Sequence, residues 1–132
     1  MSTYGRTIAL SRPFDEAVPE VKEAFQAQGF GVLTEIDVQA TLKAKLDVEI
    51  ERYVILGACN PVLAHRALEI TREVGLLLPC NVVVREHGRG VLVQALDPAI
   101  IASLPGLPEL QPVATEAAAR VQAALDALAG GK

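Results

Sequence analysis

Five stretches of the chain have the apolar pattern of β-strands. Apolar residues at alternate positions, such as Ile8 and Leu10, predict strands that are buried on one face. The run from Tyr53 to Leu56 is apolar at every position, which is typical of a strand buried on both faces, or nearly so. In Phe30 to Ile36, alternation places Phe30, Val32, Thr34 and Ile36 on one face. The five strands are expected at residues 4–10, 30–36, 50–58, 82–86 and 91–96.

Between these strands, apolar residues recur every three or four positions and predict helices. Asp37 and Asn60-Pro61 are N-terminal helix signals, because Asp and Asn cap helices and proline is tolerated in the first turn. Pro19 lies inside the first helical pattern, where it removes a hydrogen bond, so we expect that helix to start late or to kink. The segment 105–112 is proline-rich and is predicted to be irregular. Helices are expected at residues 14–28, 38–46, 61–72, 99–104 and 113–128.

The order of these elements predicts an α+β fold. The sequence His87-Gly88-Arg89-Gly90 joins the last two strands, and its glycines favour a hairpin turn with positive φ. Because a hairpin is mixed with longer crossovers that contain helices, we predict a mainly antiparallel five-stranded sheet with helices packed on it. We expect residues 1–132 to form one domain.

Composition restricts the partners of this fold. The chain is 51% hydrophobic but only 4% aromatic, with no tryptophan, so its core must be aliphatic. A net charge of -4 disfavours nucleic acids and anionic membranes as partners. The N-terminus lacks the apolar core of a signal peptide, and no segment approaches the roughly 20 apolar residues that span a bilayer. We therefore expect a cytoplasmic protein whose two cysteines are reduced thiols.

The two cysteines are the main candidates for chemistry. Cys59 is predicted to end a strand just before the cap residue Asn60, where the helix dipole should lower the pKa of a thiol. Cys80 follows Leu-Pro and precedes Asn81. Two thiols suit a soft metal ion such as Cu(I), or a sulfur species, provided that they lie close together. The alternative is that both cysteines are small buried hydrophobic residues.

Other kinds of site have less support in the sequence. A structural zinc site needs about four ligands, and only His65 and His87 add to the two thiols. Cys59 and Cys80 do not form a Cys-x-x-Cys redox motif, and His65 is predicted to face solvent, so no complete catalytic set is visible. The residue Asn60 and the amides after it offer an anion site at a helix N-terminus.

A second polar cluster is predicted from Glu35, Asp37 and Lys43, which lie on the second strand and the helix after it. A carboxylate and an amine beside a thiol pair could steer protons or bind a ligand. The simpler interpretation is that Asp37 is a helix cap and that the others form surface ion pairs.

The sequence resembles the domain of unknown function 302 family over nearly its whole length. The resemblance implies a compact α+β domain with a curved antiparallel sheet, similar to the TATA-box-binding-protein-like fold class, and a homodimer. It implies no reaction, and a shared fold alone does not imply DNA binding. The matching segments are YVILGACNP at 53–61, Leu63-Ala64-His65, GLLLPCNVVV at 75–84, Gly29-Phe30 and Glu35-Ile36-Asp37.

Two hypotheses about function follow from the sequence. The first is a small binding protein that holds a soft metal ion or a sulfur species through Cys59 and Cys80, with Asn60, Glu35 and Lys43 nearby. The second is a non-catalytic module that binds an apolar small molecule or a partner protein, with both cysteines packed in the core. An enzyme is the less favoured class.

Overall fold

The computed structural model describes residues 4–130 and contains one five-stranded antiparallel sheet. Residues 1–3 and 131–132 of the chain lie outside the described part. The strands are β1 (Gly5–Leu10), β2 (Gly31–Asp37), β3 (Tyr53–Cys59), β4 (Cys80–His87) and β5 (Gly90–Leu96). They lie side by side in the order β1-β5-β4-β3-β2, and every neighbouring pair is antiparallel. The predicted α+β fold with a five-stranded antiparallel sheet is confirmed.

Helical segments connect the strands and follow the last of them. They are α1 (Phe14–Gln26), α2 (Val38–Leu46), α3 (Pro61–Ile70), α4 (Ala99–Ser103) and α5 (Gln111–Gly130). Short 3-10 helices cover Arg72–Leu77 and Pro108–Leu110. Within residues 4–130, no helix is both long enough and apolar enough to cross a membrane.

Of the two effects expected of Pro19, a late start and a kink, the late start does not occur, because helix α1 begins at Phe14. Proline costs this helix one backbone hydrogen bond, and the buried side chains on the inner face of α1 compensate for it by packing on the sheet. The proline-rich segment 105–112 is more regular than predicted, since it contains the second 3-10 helix and the first two residues of α5. A proline at the start of a helix loses no hydrogen bond, which is why Pro108 and Pro112 are tolerated there.

The hairpin between β4 and β5 has the predicted position. His87 lies opposite Gly90 in the register, and the chain turns through the two residues between them. Gly88 has a φ of 61°, the left-handed conformation that favours glycine. Gly90, by contrast, is the first residue of β5.

Strand β2 contains a β-bulge that changes which side chains face the core. The register shifts between Val32 and Thr34, so Leu33 is the extra residue. Because side chains alternate between faces, the shift moves Thr34 and Ile36 to the face opposite that of Val32. The prediction that these three residues share one face is therefore wrong. Ile36 is 49% exposed as a result.

The helices cover one face of the sheet, which we call the inner face. Val84 of β4 and Val93 of β5 lie opposite each other and are fully buried beneath α1 and α5. Burying a valine side chain contributes about 1.5–3 kcal/mol, so this row is a main source of stability. A second apolar cluster, beyond the end of β3, joins α3, α4 and the start of α5, and it includes Cys80.

The other face of the sheet, which we call the outer face, contributes no strand side chain to either core cluster of the described chain. Its side chains alternate with the buried ones, and Ile55, Val83 and Leu92 are half-buried while belonging to neither core cluster. The prediction that β3 is buried on both faces therefore holds only for its inner side chains, such as Val54 and Leu56.

Candidate functional site

Cys59, Asn60 and Cys80 come together where β3 ends and β4 begins. Cys59 is the last residue of β3, and Asn60 caps α3 by accepting a hydrogen bond from the Leu63 N–H at 3.2 Å. Cys80 is the first residue of β4 and lies directly opposite Ala58, the neighbour of Cys59. Strand pairing therefore brings two cysteines that are distant in sequence to the same end of the sheet.

Both cysteines border one small cavity. Its volume is about 30 Å³, enough for about one water molecule and far below the 300 Å³ or more of a typical ligand pocket. Asn60 is the polar side chain on its wall and is 8% exposed, while the other walls are almost wholly apolar. The lining residues are Phe30, Ala58, Cys59, Asn60, Leu63, Ala64, Ala67, Leu78, Cys80, Ile101, Val113 and Ala117.

Neither thiol is activated. Burial raises the pKa of Cys59, and burial together with the charge of Cys59 raises the pKa of Cys80 from 9.0 to about 11. Our prediction of a lowered pKa at Cys59 is wrong, because the loss of hydration outweighs any attraction to the helix N-terminus. The Leu63 N–H that would favour a thiolate there already donates to the Asn60 side chain. Both cysteines therefore keep their protons at neutral pH.

The histidines lie away from the thiols. His65 is on the exposed side of α3, where its side chain is 75% exposed and its Nε2 lies 3.6 Å from a carboxylate oxygen of Glu69. His87 is exposed at the end of β4 in the hairpin. Neither borders the cavity. In the part of the chain that the structure describes, no three His, Cys, Asp or Glu side chains are grouped so as to hold a metal ion.

The predicted cluster of Glu35, Asp37 and Lys43 is not assembled. Glu35 forms an ion pair with Lys22 of α1, whereas the Lys43 ammonium lies 2.8 Å from Asp47 and 3.1 Å from Glu49. The Lys43 ammonium donates to both carboxylates, and these hydrogen bonds, chiefly the one to Asp47 and then the one to Glu49, raise the pKa of Lys43.

Asp37 caps α2 by accepting from the Ala40 N–H at 2.9 Å, as predicted. Glu35 and Lys43 are absent from the lining of the thiol cavity, so the structure does not bring them to the cysteines. The bulge at Leu33 explains part of this result, because it turns Glu35 toward α1.

A larger groove, lined mainly by apolar residues, borders the second core cluster. It has a volume of about 380 Å³ and runs between the first 3-10 helix and the loop after α4. Leu76 and Leu104 border it and are 81% and 67% exposed, whereas Val74 at its floor is buried. Its lining residues are Thr71, Glu73, Val74, Leu76, Leu77, Leu104, Pro105 and Leu107.

Sequence reasoning missed this groove. The run of leucines at 76–78 is visible in the sequence, but no local pattern indicates that Leu76 is 81% exposed. The opposite wall comes from residues 104–107, almost thirty positions away, and no local pattern connects the two segments.

Comparison with known proteins gives the family of this chain. The model of the family described as "Domain of unknown function DUF302" matches residues 6–128. The chain belongs to the DUF302 family. This membership confirms the resemblance of the sequence to that family.

A solved DUF302 structure has the same fold. The chain is similar to the crystal structure of an uncharacterised conserved DUF302 protein from Bacillus stearothermophilus, with 28% sequence identity and a TM-score of 0.88. The match covers 96% of this chain and 99% of that one. No curated protein matched the sequence. The DUF302 fold is thus established for this chain, and its function has to be argued from its own cavities and surfaces.

Proposed function

We propose that this DUF302 chain is a non-catalytic binding module whose groove takes a small apolar molecule. The observation that carries the proposal is the groove of about 380 Å³ beside Leu76 and Leu104, whose volume is within the range of small-molecule sites. Large apolar side chains that are grouped and exposed often mark binding surfaces. A ligand between Leu76 and Leu104 would remove both from water, at a gain of about 25 cal/mol for each Å² buried.

One polar group at the rim restricts the chemistry of the ligand. Glu73 is exposed on the wall of the groove, and no Lys, Arg or His of residues 4–130 forms an ion pair with it. Arg72, the nearest cation in sequence, lies 3.7 Å from Glu69 instead. A carboxylate at the edge of an apolar groove favours a ligand with an apolar body and a cationic or hydrogen-bond-donating end. A long-chain amine fits this description better than a fatty acid.

Binding of a neutral apolar dye tests the proposal. We expect Nile red fluorescence to increase with wild-type protein, to be lost in Leu104→Asp, and to persist in the control Leu46→Asp. Leu46 is as exposed as Leu104, at 67%, but lies on α2 away from the groove. Decylamine should displace the dye at a lower concentration than decanoate does. Equal dye binding by both aspartate variants would exclude the groove as the site.

A homodimer in a reducing compartment, such as the cytoplasm, is part of this proposal. The resemblance to the family supports a homodimer, as does the outer face of the sheet, whose strand side chains belong to neither core cluster of the described chain. The two free thiols fit a reducing compartment. Sedimentation analysis of the purified chain measures the oligomeric state, and a monomer at every concentration would exclude the homodimer.

A second candidate function is the binding of one soft metal ion, such as Cu(I), by Cys59 and Cys80. The observation in its favour is that both cysteines border one cavity of about the volume of a single water molecule, with apolar walls. The effect of Cys59 on the pKa of Cys80 is a further sign that the two thiols are close. Two thiols without a third ligand suit Cu(I) better than zinc.

The raised pKa values determine how such an ion would bind. Each thiol must lose its proton when a Cu–S bond forms, so the ion displaces two protons at neutral pH. While the pH is below the pKa values of both thiols, the apparent affinity for Cu(I) should therefore increase by up to about a hundredfold for each unit by which the pH is raised.

Anaerobic titration with Cu(I) against a chromogenic chelator tests this candidate. We expect one ion per chain in wild type, and loss of binding in both Cys59→Ser and Cys80→Ser. Ala64→Ser is the matched control, because it adds a hydroxyl to the wall of the same cavity and leaves both thiols in place. If binding survives either cysteine substitution, the ion is not held between the two thiols.

A further inference from the structure

We propose that the outer face of the sheet is the surface through which two copies of this chain associate. The inference rests on the homodimer of the proposed function and assigns it an interface. The outward side chains of β3, β4 and β5 belong to neither core cluster of the described chain. A sheet with helices on one face leaves the other face free to pack on a second layer.

The outer face carries a continuous row of apolar side chains. Ile36 of β2 lies opposite Ile55 of β3, which in turn lies opposite Val83 of β4. Ile36 is on this face because of the bulge at Leu33. The apolar row therefore spans β2, β3 and β4, because the residue opposite Val83 on β5 is the polar Gln94. These aliphatic side chains are half-buried or exposed within one copy, and a second layer would remove them from water.

Beside this row, the face has a hollow of about 330 Å³. Tyr4 and Tyr53 border it, and Val83 and Leu96 line it. Tyrosine is enriched at protein interfaces, because its ring is apolar and its hydroxyl can still form a hydrogen bond. Side chains from a second copy can enter such a hollow, as they do between packed sheets.

The charges of the face favour a second copy over an unrelated partner. The protein has a net charge of -4, so two copies repel each other through most of their surfaces. Among the described strand residues, the positions on the outer face carry no Asp or Glu. The acidic residues Glu35 and Asp37 of β2 lie opposite Leu56 and Val54 and are on the inner face.

Arg85 is a cation on this face. Its Nε donates to the Gln94 side chain at 3.0 Å, and its guanidinium lies 3.9 Å from Glu51. The charge is thus already partly neutralised within one copy. Self-association through this face therefore brings together no carboxylates of the described strands.

The area of the face is sufficient for a specific dimer. Five strands about 4.8 Å apart are about 24 Å wide, and strands of six to eight residues are about 20–27 Å long. One copy therefore offers roughly 500–600 Å², and two copies would bury roughly 1,000–1,200 Å² together. This area reaches the limit of about 1,000 Å² above which an interface is considered specific.

Sedimentation equilibrium of four lysine variants tests the inference. Val83→Lys places a charge in the centre of the face and should weaken dimerisation by about a hundredfold, because the interface would bury an unpaired cation. Ile36→Lys, at a position that is already 49% exposed, should weaken it by about tenfold. Leu46→Lys and Leu104→Lys place the same charge on α2 and on the apolar groove, and both should leave the dimer intact.

Each outcome supports the inference or overturns it. Unchanged dimerisation of both face variants, or dissociation of Leu104→Lys alone, would place the interface elsewhere and leave the homodimer standing. A monomeric wild-type chain would overturn both the homodimer and this interface. The proposed binding of an apolar molecule in the groove would still stand or fall by the dye-binding measurement alone. If circular dichroism shows that Val83→Lys does not fold, the exposed variant Ile36→Lys decides.

Discussion

Cys59 and Cys80 are one residue out of register on neighbouring antiparallel strands, because the residue opposite Cys80 is Ala58. Successive side chains of a strand point to opposite faces of the sheet, so the two cysteine side chains start on different faces. Both residues nevertheless border the cavity at the end of the sheet. A disulfide requires the two Cβ atoms to point toward each other, so the offset disfavours a disulfide between these cysteines. It does not prevent both thiols from bordering one cavity.

The offset predicts that the native protein resists intrachain disulfide formation. After incubation with a mild oxidant, we expect two free thiols per unfolded chain, counted with a chromogenic thiol reagent. Burial should also make Cys80, which is 8% exposed, react more slowly with the reagent than Cys59 before unfolding. An intrachain Cys59–Cys80 disulfide in a peptide map would show that the strands rearrange more easily than the register implies.

The raised pKa of Cys80 predicts a loss of stability at high pH. The folded protein holds this proton up to a pKa of about 11, whereas the unfolded chain releases it near 9.0. The contribution is therefore fully present below about pH 9 and is lost as the pH increases through about 11, with a total of roughly 2–3 kcal/mol.

Denaturant unfolding between pH 8 and 11 measures this effect. The decrease in the free energy of unfolding should be smaller in Cys80→Ala, which has no thiol at this position, whatever its stability at neutral pH. Equal pH dependence in the two proteins would contradict a buried, protonated Cys80.

Gly57 is predicted to tolerate no side chain. A Cβ at this position would collide with the Thr34 hydroxyl of β2 and would lie 3.0 Å from Cγ of Pro79. Gly57→Ala should therefore reduce the free energy of unfolding by about 1–3 kcal/mol. In Gly31→Ala, where a Cβ meets no atom within 4 Å, the change should be within about 0.5 kcal/mol.

A double-mutant cycle identifies the cause of the Gly57 effect. Removing the hydroxyl in Thr34→Ala should recover part of the stability that Gly57→Ala loses, because it opens the space that the new Cβ needs. Additive losses in the double variant would mean that Pro79 or the backbone, rather than Thr34, opposes the side chain.

Asn60 is predicted to matter as a helix cap. Its Oδ1 accepts the Leu63 N–H in a buried position, so Asn60→Ala should destabilise the fold by about 1–2 kcal/mol. Asn60→Ser keeps a capping oxygen and should recover much of that loss. Thermal unfolding of both variants checks the prediction, and equal melting temperatures would show that the cap contributes little.

Local patterns in the sequence determined most of the secondary structure. The strands, the hairpin near Gly88 and the caps at Asp37 and Asn60 depend on residues within a few positions of each other, and all of them are predicted correctly. The α+β class followed from the order of these elements. The family followed from short motifs around Cys59 and Cys80.

Only the tertiary structure decided what these elements form together. The bulge at Leu33, the register of Cys80 with Ala58 and the groove between Leu76 and Leu104 depend on pairings between segments far apart in sequence. Alternation along a strand shows that two faces differ, but not which face is covered by helices. The pKa values of the thiols depend on how much surrounding protein excludes water, and this burial is a property of the complete fold.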